Sequence, residues 1–486
     1  MNFARTSVTT GALLTVAMRW ADRAVGFVSV LLLARLLTPA DIGIIAMASL
    51  VIGLADMLLD LGVHVPLIRN PRATQAHYDT AWTLRLIQTG LATALLVWAA
   101  PHAADYFGDP RVQPVLQILA FSLVLGGFEN IGVIAFHKEM QFGAEFRFRL
   151  IRRLTGFAVT ISAAWLLRSY WALVLGTLTG AVLGVTLSYL MHPMRPRFGL
   201  SKLGEILAIS QWMLVRGIGE YLHQNLHRIL VGRWASAATL GAYTLANEIA
   251  SMPSTELLAP MNRALFPAMA KAQADPSELQ RLFLLALGVQ AMVAIPAALG
   301  LALVAAQAVP LLLGDKWLEA IPLLQLLALV GVAQALTAAG SYVMLVLGKM
   351  VHAALVFWGQ VLLFVLLILL VLPGAEAATI AALRLAAALA SIALSLWLLR
   401  QVFPIVRLGD LVAVTYRPLI AALGMALSLV AIDHWLVASP LVLIVVKMFA
   451  GAVVYSLVVL LSWRSAKLPS GAEAWLFAKI NGYASI

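Results

Sequence analysis

The sequence predicts an all-α polytopic membrane protein of about 14 transmembrane helices, built as two six-helix lobes in parallel repeat plus two C-terminal helices. Composition is the first reason. The 486 residues are 62% hydrophobic and 11% charged, with a mean hydropathy of +0.94; soluble proteins hold about 45–50% apolar and about 25% charged residues. Hydropathy patterning is the second, because apolar runs of roughly 20 residues, enough to cross a bilayer, follow one another with little between them. The third is an internal repeat. Arg35 to Val51 returns 198 residues later as Arg233 to Ile249, placing Arg35 on Arg233, Thr38 on Ser236, Ala40 on Ala238, Gly43 on Gly241 and Ala48 on Ala246. Each copy lies between two apolar runs, as the tight connection inside a membrane hairpin.

The expected spans are 11–36, 41–67, 83–100, 114–136, 150–167, 171–191, 206–231, 238–260, 282–305, 318–347, 350–372, 377–399, 412–435 and 440–463. Basic residues orient them, since cytoplasmic loops collect Lys and Arg. With the N-terminus inside, twenty-one of the 33 basic residues fall in cytoplasmic segments. The opposite connections hold five: Arg35, Arg111, Arg168, Arg233 and Lys316. Arg19, Arg23, Arg85, Arg216, Arg228, Arg384 and Lys447 lie within spans. Both termini are therefore expected in the cytoplasm. The net charge of +11 follows from this loop bias and points to no nucleic acid. Spans one to six form an N-terminal lobe, residues 1–198, and spans seven to twelve a C-terminal lobe, 199–405. Residues 406–486 hold two further spans and a cytoplasmic tail. An even number of spans per repeat gives both lobes the same orientation.

Ionisable groups inside a span cost about 2.5–3.5 kcal/mol each on insertion scales, so they face a bundle interior or a watery cavity. Span one carries Arg19, Asp22 and Arg23; span seven carries Arg216, Glu220, Gln224 and Arg228 at intervals of four, with His223, Asn225 and His227 beside them. Such spacing lines them up on one helix face. In the repeat register Asp22 falls on Glu220. Span two adds Asp56, Asp60 and His64, span four Glu129 and Asn130, span eight Asn247 and Glu248, and span twelve Arg384. Spans one, two, seven and eight are expected to line a hydrated cleft between the halves. Its guanidinium groups, Arg19, Arg23, Arg216, Arg228 and Arg384, suit an anionic ligand, because Arg meets phosphate oxygens with paired donors. Asp22, Asp56, Asp60, Glu129, Glu220, Gln224, Asn225, Asn247 and Glu248 are candidate ion-coupling or cavity residues. The competing reading of several of these groups is packing: Asp22 with Arg19 or Arg23 as a helix-internal pair, and Asp56 and Asp60 paired with Arg69 or Arg85. The segment from Lys138 to Arg153 alternates Phe142, Phe146 and Phe148 with Arg147, Arg149, Arg152 and Arg153, which suits an anionic lipid surface.

With no cysteine in the chain, disulfides and thiolate metal sites are excluded. No cleavable signal is expected, because the first apolar run leads into further spans. Neither a nucleotide-binding loop nor a metalloprotease or triad pattern is present, so no enzyme, cofactor or metal is expected. Any driving force is then an ion gradient, the substrate gradient or the membrane potential.

Leu33-Ala34-Arg35-Leu36-Leu37-Thr38-Pro39-Ala40-Asp41-Ile42-Gly43 is similar to the signature after the first span of the polysaccharide-transporter (Wzx-type) flippases of the MOP superfamily. Asp60-Leu61-Gly62 with Leu67-Ile68-Arg69, Tyr170 to Val174, Arg195 to Phe198, and Gly241-Ala242-Tyr243 fit the same family. The resemblance covers roughly residues 5–420 and lies nearest the colanic-acid-type exopolysaccharide exporters. It implies a two-lobed flippase of the bacterial inner membrane that moves undecaprenyl-pyrophosphate-linked oligosaccharide to the periplasmic leaflet. Partners implied are that lipid, membrane lipids, and polysaccharide polymerase and chain-length machinery. The family's cationic cavity would map onto Arg19, Arg23, Arg216 and Arg228 by span position. Rivals are an ion-coupled multidrug antiporter, in which Asp22, Asp56 and Glu220 bind ions, a membrane-embedded polymerase or ligase, and a non-catalytic scaffold. The sister antiporters share the fold, so the fold alone does not decide cargo.

Overall fold

The computed structural model describes residues 8–59, 67, 74–139, 141–204, 210–371, 374–469 and 471–480; among these residues all regular structure is helical. The chain divides into two compact units, Met1–Gly241 and Ala242–Ile486. The first contains α1 (Val8–Leu36), α2 (Pro39–Leu59), α3 (Gln75–Phe107), α4 (Val112–Gly127), α5 (Val133–Lys138), α6 (Phe142–Leu167), α7 (Trp171–Met191), α8 (Ser210–Trp234) and the first turn of α9 (Ala237–Pro253). The second continues α9 and adds α10 (Ala259–Lys271), α11 (Pro276–Leu312), α12 (Ala320–Val346), α13 (Met350–Leu369), α14 (Ala377–Val402), α15 (Leu408–Trp435), α16 (Pro440–Ser465) and α17 (Ala472–Ile480).

Each of the fourteen expected spans falls on a helix, and among the described residues ten helices are long and apolar enough to cross a membrane. The other four fall short for two reasons. α4 and α9 are only 16 and 17 residues long. α1 and α8 have the length but carry Arg19, Asp22 and Arg23, and Arg216, Glu220 and Arg228. Expected spans four and eight also end early. α2 is described as far as Leu59; residues 60–66, with Asp60 and His64, lie outside the described residues. α4 stops at Gly127 because Asn130 builds a turn: its Oδ1 accepts the Gly132 N–H at 2.9 Å and its Nδ2 donates to the Met194 carbonyl at 2.7 Å. α9 ends at Pro253 and continues as a π-helical turn, Ser254–Leu258, before α10, since the proline withdraws a donor from the helical ladder.

The repeated segment shows in atomic detail what it encodes. Thr38 caps α2: its Oγ1 accepts the Asp41 N–H at 3.2 Å while Asp41 Oδ2 accepts the Thr38 N–H at 2.9 Å, a reciprocal cap ahead of Pro39. In the second copy Ser236 Oγ accepts the Thr239 N–H at 3.1 Å at the head of α9. The two helix starts then meet. A Cβ on Gly43 would collide with the Ala237 carbonyl, and one on Gly241 with the Pro39 carbonyl; the latter would also lie 3.0 Å from the Gly43 nitrogen. Pro39 and Ala237 correspond in the repeat, so the contact is reciprocal. From there α2 and α8 stay in contact: the Tyr221 hydroxyl donates to the Leu50 carbonyl, its ring lies against Gly53, and Gly217 lies against Met57. Helices without side chains at the contact bring backbones close in lipid, where dispersion replaces the hydrophobic drive.

Two elements at the ends of the second unit were not anticipated. Lys447, counted among basic residues in an otherwise apolar span, is fully buried. It donates to Asp433 Oδ2 at 2.6 Å, Gln307 Oε1 at 3.1 Å and the Leu303 carbonyl at 3.1 Å, using all three of its protons. At the other end of α15, Arg417 is buried rather than free in a basic loop, and it pairs with buried Glu473 of α17. Its Nε also donates to the Tyr416 hydroxyl at 3.2 Å. α17 is thereby held on α11 and α15, where Ala472 packs at the place a Gly288 side chain would fill.

Gly43→Leu puts a side chain into the Ala237 carbonyl and is expected to lower stability by at least the roughly 1–3 kcal/mol of core overpacking. Thermal unfolding of the detergent-purified protein measures it; an unchanged midpoint would show that the helix starts do not pack so closely. Glu473→Ala strands a buried guanidinium and is expected to cost about 3–5 kcal/mol, whereas Arg417→Met with Glu473→Leu restores much of it. Denaturant titration of both variants decides the point.

Candidate functional site

The charged face of the first unit is generated by helix periodicity. On α8, Gly217 and Tyr221 pack on α2, and Glu220 and Gln224 lie to one side of them, about 60° and 20° around the helix from Gly217. Both are exposed, and Gln224 Nε2 donates to Glu220 Oε1 at 3.4 Å. Asn225 donates to the Tyr221 carbonyl at 3.1 Å and accepts from Arg228 Nη1 at 3.3 Å. Arg228 is half-buried and His227 buried, with its Nε2 2.9 Å from the Gln224 carbonyl. Arg216 lies on α8, and its side chain is outside the described residues. On α1, Arg19 and Arg23 are exposed and Asp22 is half-buried. Asp56 is exposed near the end of α2.

A magnitude decides what these groups face. Arg19, Asp22, Arg23, Asp56, Glu220 and Arg228 turned to hydrocarbon would cost roughly 15–20 kcal/mol together, at about 2.5–3.5 kcal/mol each near mid-bilayer. That exceeds the about 5–15 kcal/mol by which a protein domain is stable. A polar or hydrated surrounding is the arrangement that a folded chain tolerates. Within it the identified groups on α1 and α8 are cation-rich: Arg19, Arg23, Arg216 and Arg228 against Asp22 and Glu220.

In the second unit, two residues singled out from different spans touch. Arg384 Nη1 of α14 donates to Asn247 Oδ1 of α9 at 2.7 Å, both half-buried, and Glu248 beside Asn247 is exposed. Glu129 and Asn130 do not lie on a helix. Glu129 is buried, with Oε2 3.3 Å from Arg152 Nη1 and 3.6 Å from Arg85 Nη2. Asn130 secures the turn described above, and its N–H reaches the Ser188 hydroxyl at 2.9 Å. His192 completes that turn as a neutral ring: burial pushes its pKa down, against an opposing pull from Glu139, so Nδ1 accepts the Met194 N–H at 3.2 Å. The signal for these roles was their neighbours, since an acid and an amide followed by Ile-Gly mark a turn rather than a cavity lining.

A bundle of long apolar helices bearing buried and mutually oriented charges is a multi-pass membrane protein, and comparison with known proteins places it more narrowly. The chain belongs to the polysaccharide biosynthesis protein family, whose pattern matches residues 32–322. It is 28% identical over 315 residues to the lipopolysaccharide biosynthesis protein WzxC of Escherichia coli (strain K12), covering 63% of each chain. It is 27% identical over 309 residues to the succinoglycan biosynthesis transport protein ExoT of Rhizobium meliloti (strain 1021), covering 62% of each. The matches thus span a little under two thirds of these relatives' lengths. The fold is that of the lipid II flippase MurJ in an inward closed conformation (TM-score 0.74, 12% identity, 94% of this chain and 99% of that one). An inward-facing multidrug resistance MATE transporter of the MOP superfamily also shares it (TM-score 0.57, 13% identity, 78% and 94%).

Arg384 and Asn247 are expected to be coupled by about 1.5–3 kcal/mol, the range for a hydrogen bond to a charged group. A double-mutant cycle with Arg384→Gln and Asn247→Ala, read by thermal unfolding in detergent, tests it. Additive effects would show that the contact contributes nothing.

Proposed function

We propose that this chain is a flippase, not an enzyme, that moves undecaprenyl-pyrophosphate-linked oligosaccharide units from the cytoplasmic to the periplasmic leaflet of a bacterial inner membrane by alternating access. The observation that carries this reading is the excess of cations on α1 and α8, in a chain of the polysaccharide biosynthesis protein family. Arg19, Arg23, Arg216 and Arg228 of the first unit would hold the pyrophosphate through paired donors; in the second unit Arg384, held by Asn247, would be a phosphate contact in its own right. Asp22, Asp56, Asp60, Glu220, Gln224, Asn225 and Glu248 would tune those cations or couple an ion. The names of WzxC, ExoT and MurJ, with their polysaccharide, transport and lipid II roles, support the same class of cargo. The product is polysaccharide precursor on the outer leaflet, so a polymerase and chain-length machinery are natural partners.

The MATE-like fold favours a second reading, a drug antiporter using Asp22, Asp56 and Glu220. Excess cations in low dielectric repel cationic drugs, which argues against it. We also propose fourteen crossings with both termini cytoplasmic. Lobes 1–198 and 199–405 are then followed by two spans and a tail over 406–486.

Losing one charge-assisted phosphate contact costs about 1.5–3 kcal/mol. Alanine at Arg19, Arg23, Arg216 or Arg228 is therefore expected to block surface-polysaccharide complementation at matched expression, with partial rescue by Lys, which keeps the charge but loses the fork. Normal export by all four would remove the cationic mechanism. The chain has no cysteine, so single cysteines at Arg149 and Arg197 report topology directly. Both are expected to resist an impermeant periplasmic reagent, and labelling of either would overturn the orientation.

A further inference from the structure

Arg152 and Arg153 are consecutive on α6, so their side chains leave the helix about 100° apart. Each has a seat made by a missing side chain. A Cβ on Gly184 of α7 would lie 3.0 Å from Arg152 Cζ, and one on Gly26 of α1 would lie 3.3 Å from Arg153 Nη2. Glu129 supplies the only carboxylate of the group, 3.3 Å from Arg152 and 3.6 Å from Arg85 of α3. No carboxylate among the described residues pairs with Arg153. Arg85 and Arg152 thus share one acid, and Arg153 adds a third cation on the neighbouring face of α6, so the group carries a formal net charge of about +2. The acid lies beneath, its side chain 11% exposed, while Arg85 and Arg152 stay 32% and 39% exposed.

Depth places the cluster near the lipid headgroups. Arg85 and Arg152 each stand ten residues from the start of their helix, about 15 Å along its axis. The 26 residues of α6 extend about 39 Å, roughly 9 Å beyond the hydrocarbon core. Arg147 and Arg149, earlier on α6, are exposed. Long Arg side chains snorkel from this depth to the interface, where the anions available in quantity are phosphates.

We propose that Arg85 and Arg152, with Arg153 on the adjacent face of α6, form a binding site for a lipid-borne phosphate at the cytoplasmic leaflet, centred on Glu129 rather than on the charges of α1 and α8. Glu129 sets its strength: it holds two of the guanidinium groups in place and offsets part of their charge. The site rests on the orientation proposed above but not on the cargo, so it stands or falls separately from the flippase reading. Two lipids present this chemistry, an anionic phospholipid and a polyprenyl pyrophosphate.

The full chain in phosphatidylcholine nanodiscs, doped separately with phosphatidylglycerol or undecaprenyl pyrophosphate, is read by native mass spectrometry for bound dopant. Arg152→Gln and Arg153→Gln are expected to weaken binding of at least one dopant about tenfold. Glu129→Gln is expected to strengthen it severalfold, the opposite of what a purely structural ion pair predicts. Gly184→Leu keeps every charge but fills the space of the Arg152 guanidinium, and is expected to weaken binding even if Glu129→Gln does not fold. A response to phosphatidylglycerol identifies a resident lipid; a response to undecaprenyl pyrophosphate alone identifies an entry point for cargo. Wild-type binding of both dopants by Arg152→Gln, Arg153→Gln and Gly184→Leu would overturn the proposal.

Discussion

Gly43 and Gly241 each leave room for a backbone carbonyl of the other's helix start, and the geometry of the first unit follows from that reciprocal contact. Helix starts expose N–H groups that the bilayer core cannot satisfy. Here Thr38 with Asp41, and Ser236 with Thr239, satisfy them locally. The short connection from α8 to α9 keeps α8 beside α2 as well, where Tyr221 and Gly217 face Leu50, Gly53 and Met57. With those residues committed to packing, Glu220 and Gln224 are left exposed.

The remaining polar groups divide by burial. Lys447 is buried with all three protons donated to Asp433, Gln307 and Leu303, and Arg417 is buried with bonds to Glu473, Tyr416 and Ala413. Such closed networks fix helices to one another and leave little capacity for a ligand. The α1 and α8 groups are different. Arg19, Arg23, Glu220 and Gln224 are exposed on helices too polar to rank with the most apolar spans. Their cost falls beside water, other polar groups or an anionic ligand.

The fold was legible because membrane helices announce themselves by hydropathy and because the repeat preserves Gly43 and Gly241, residues that packing demands. Helix ends were less legible. Residues 128–132 read as the end of a span, yet Asn130 has the side chain to satisfy a turn, and a turn formed. Pro253 inside expected span eight gave a direct warning of the π-helical interruption that follows. The site was legible as periodicity on α8, and pairing between distant helices was not. Arg384 with Asn247, and Glu129 with Arg85 and Arg152, depend on tertiary proximity that spacing does not encode. Lys447 was visible as a lone charge, but its partners Asp433 and Gln307 sit on two other helices.

The central claim is that the cations of α1 and α8 serve a lipid-linked pyrophosphate in transit. Its most direct test is translocation by the purified protein in liposomes carrying a fluorescent undecaprenyl-pyrophosphate oligosaccharide. The rate at which the outer-leaflet label becomes inaccessible to an impermeant quencher measures movement. Acceleration over protein-free liposomes, with competition by unlabelled pyrophosphate-linked lipid and not by a cationic drug, is the predicted result. A rate equal to that of empty liposomes, together with proton- or sodium-driven uptake of the drug, would contradict the account.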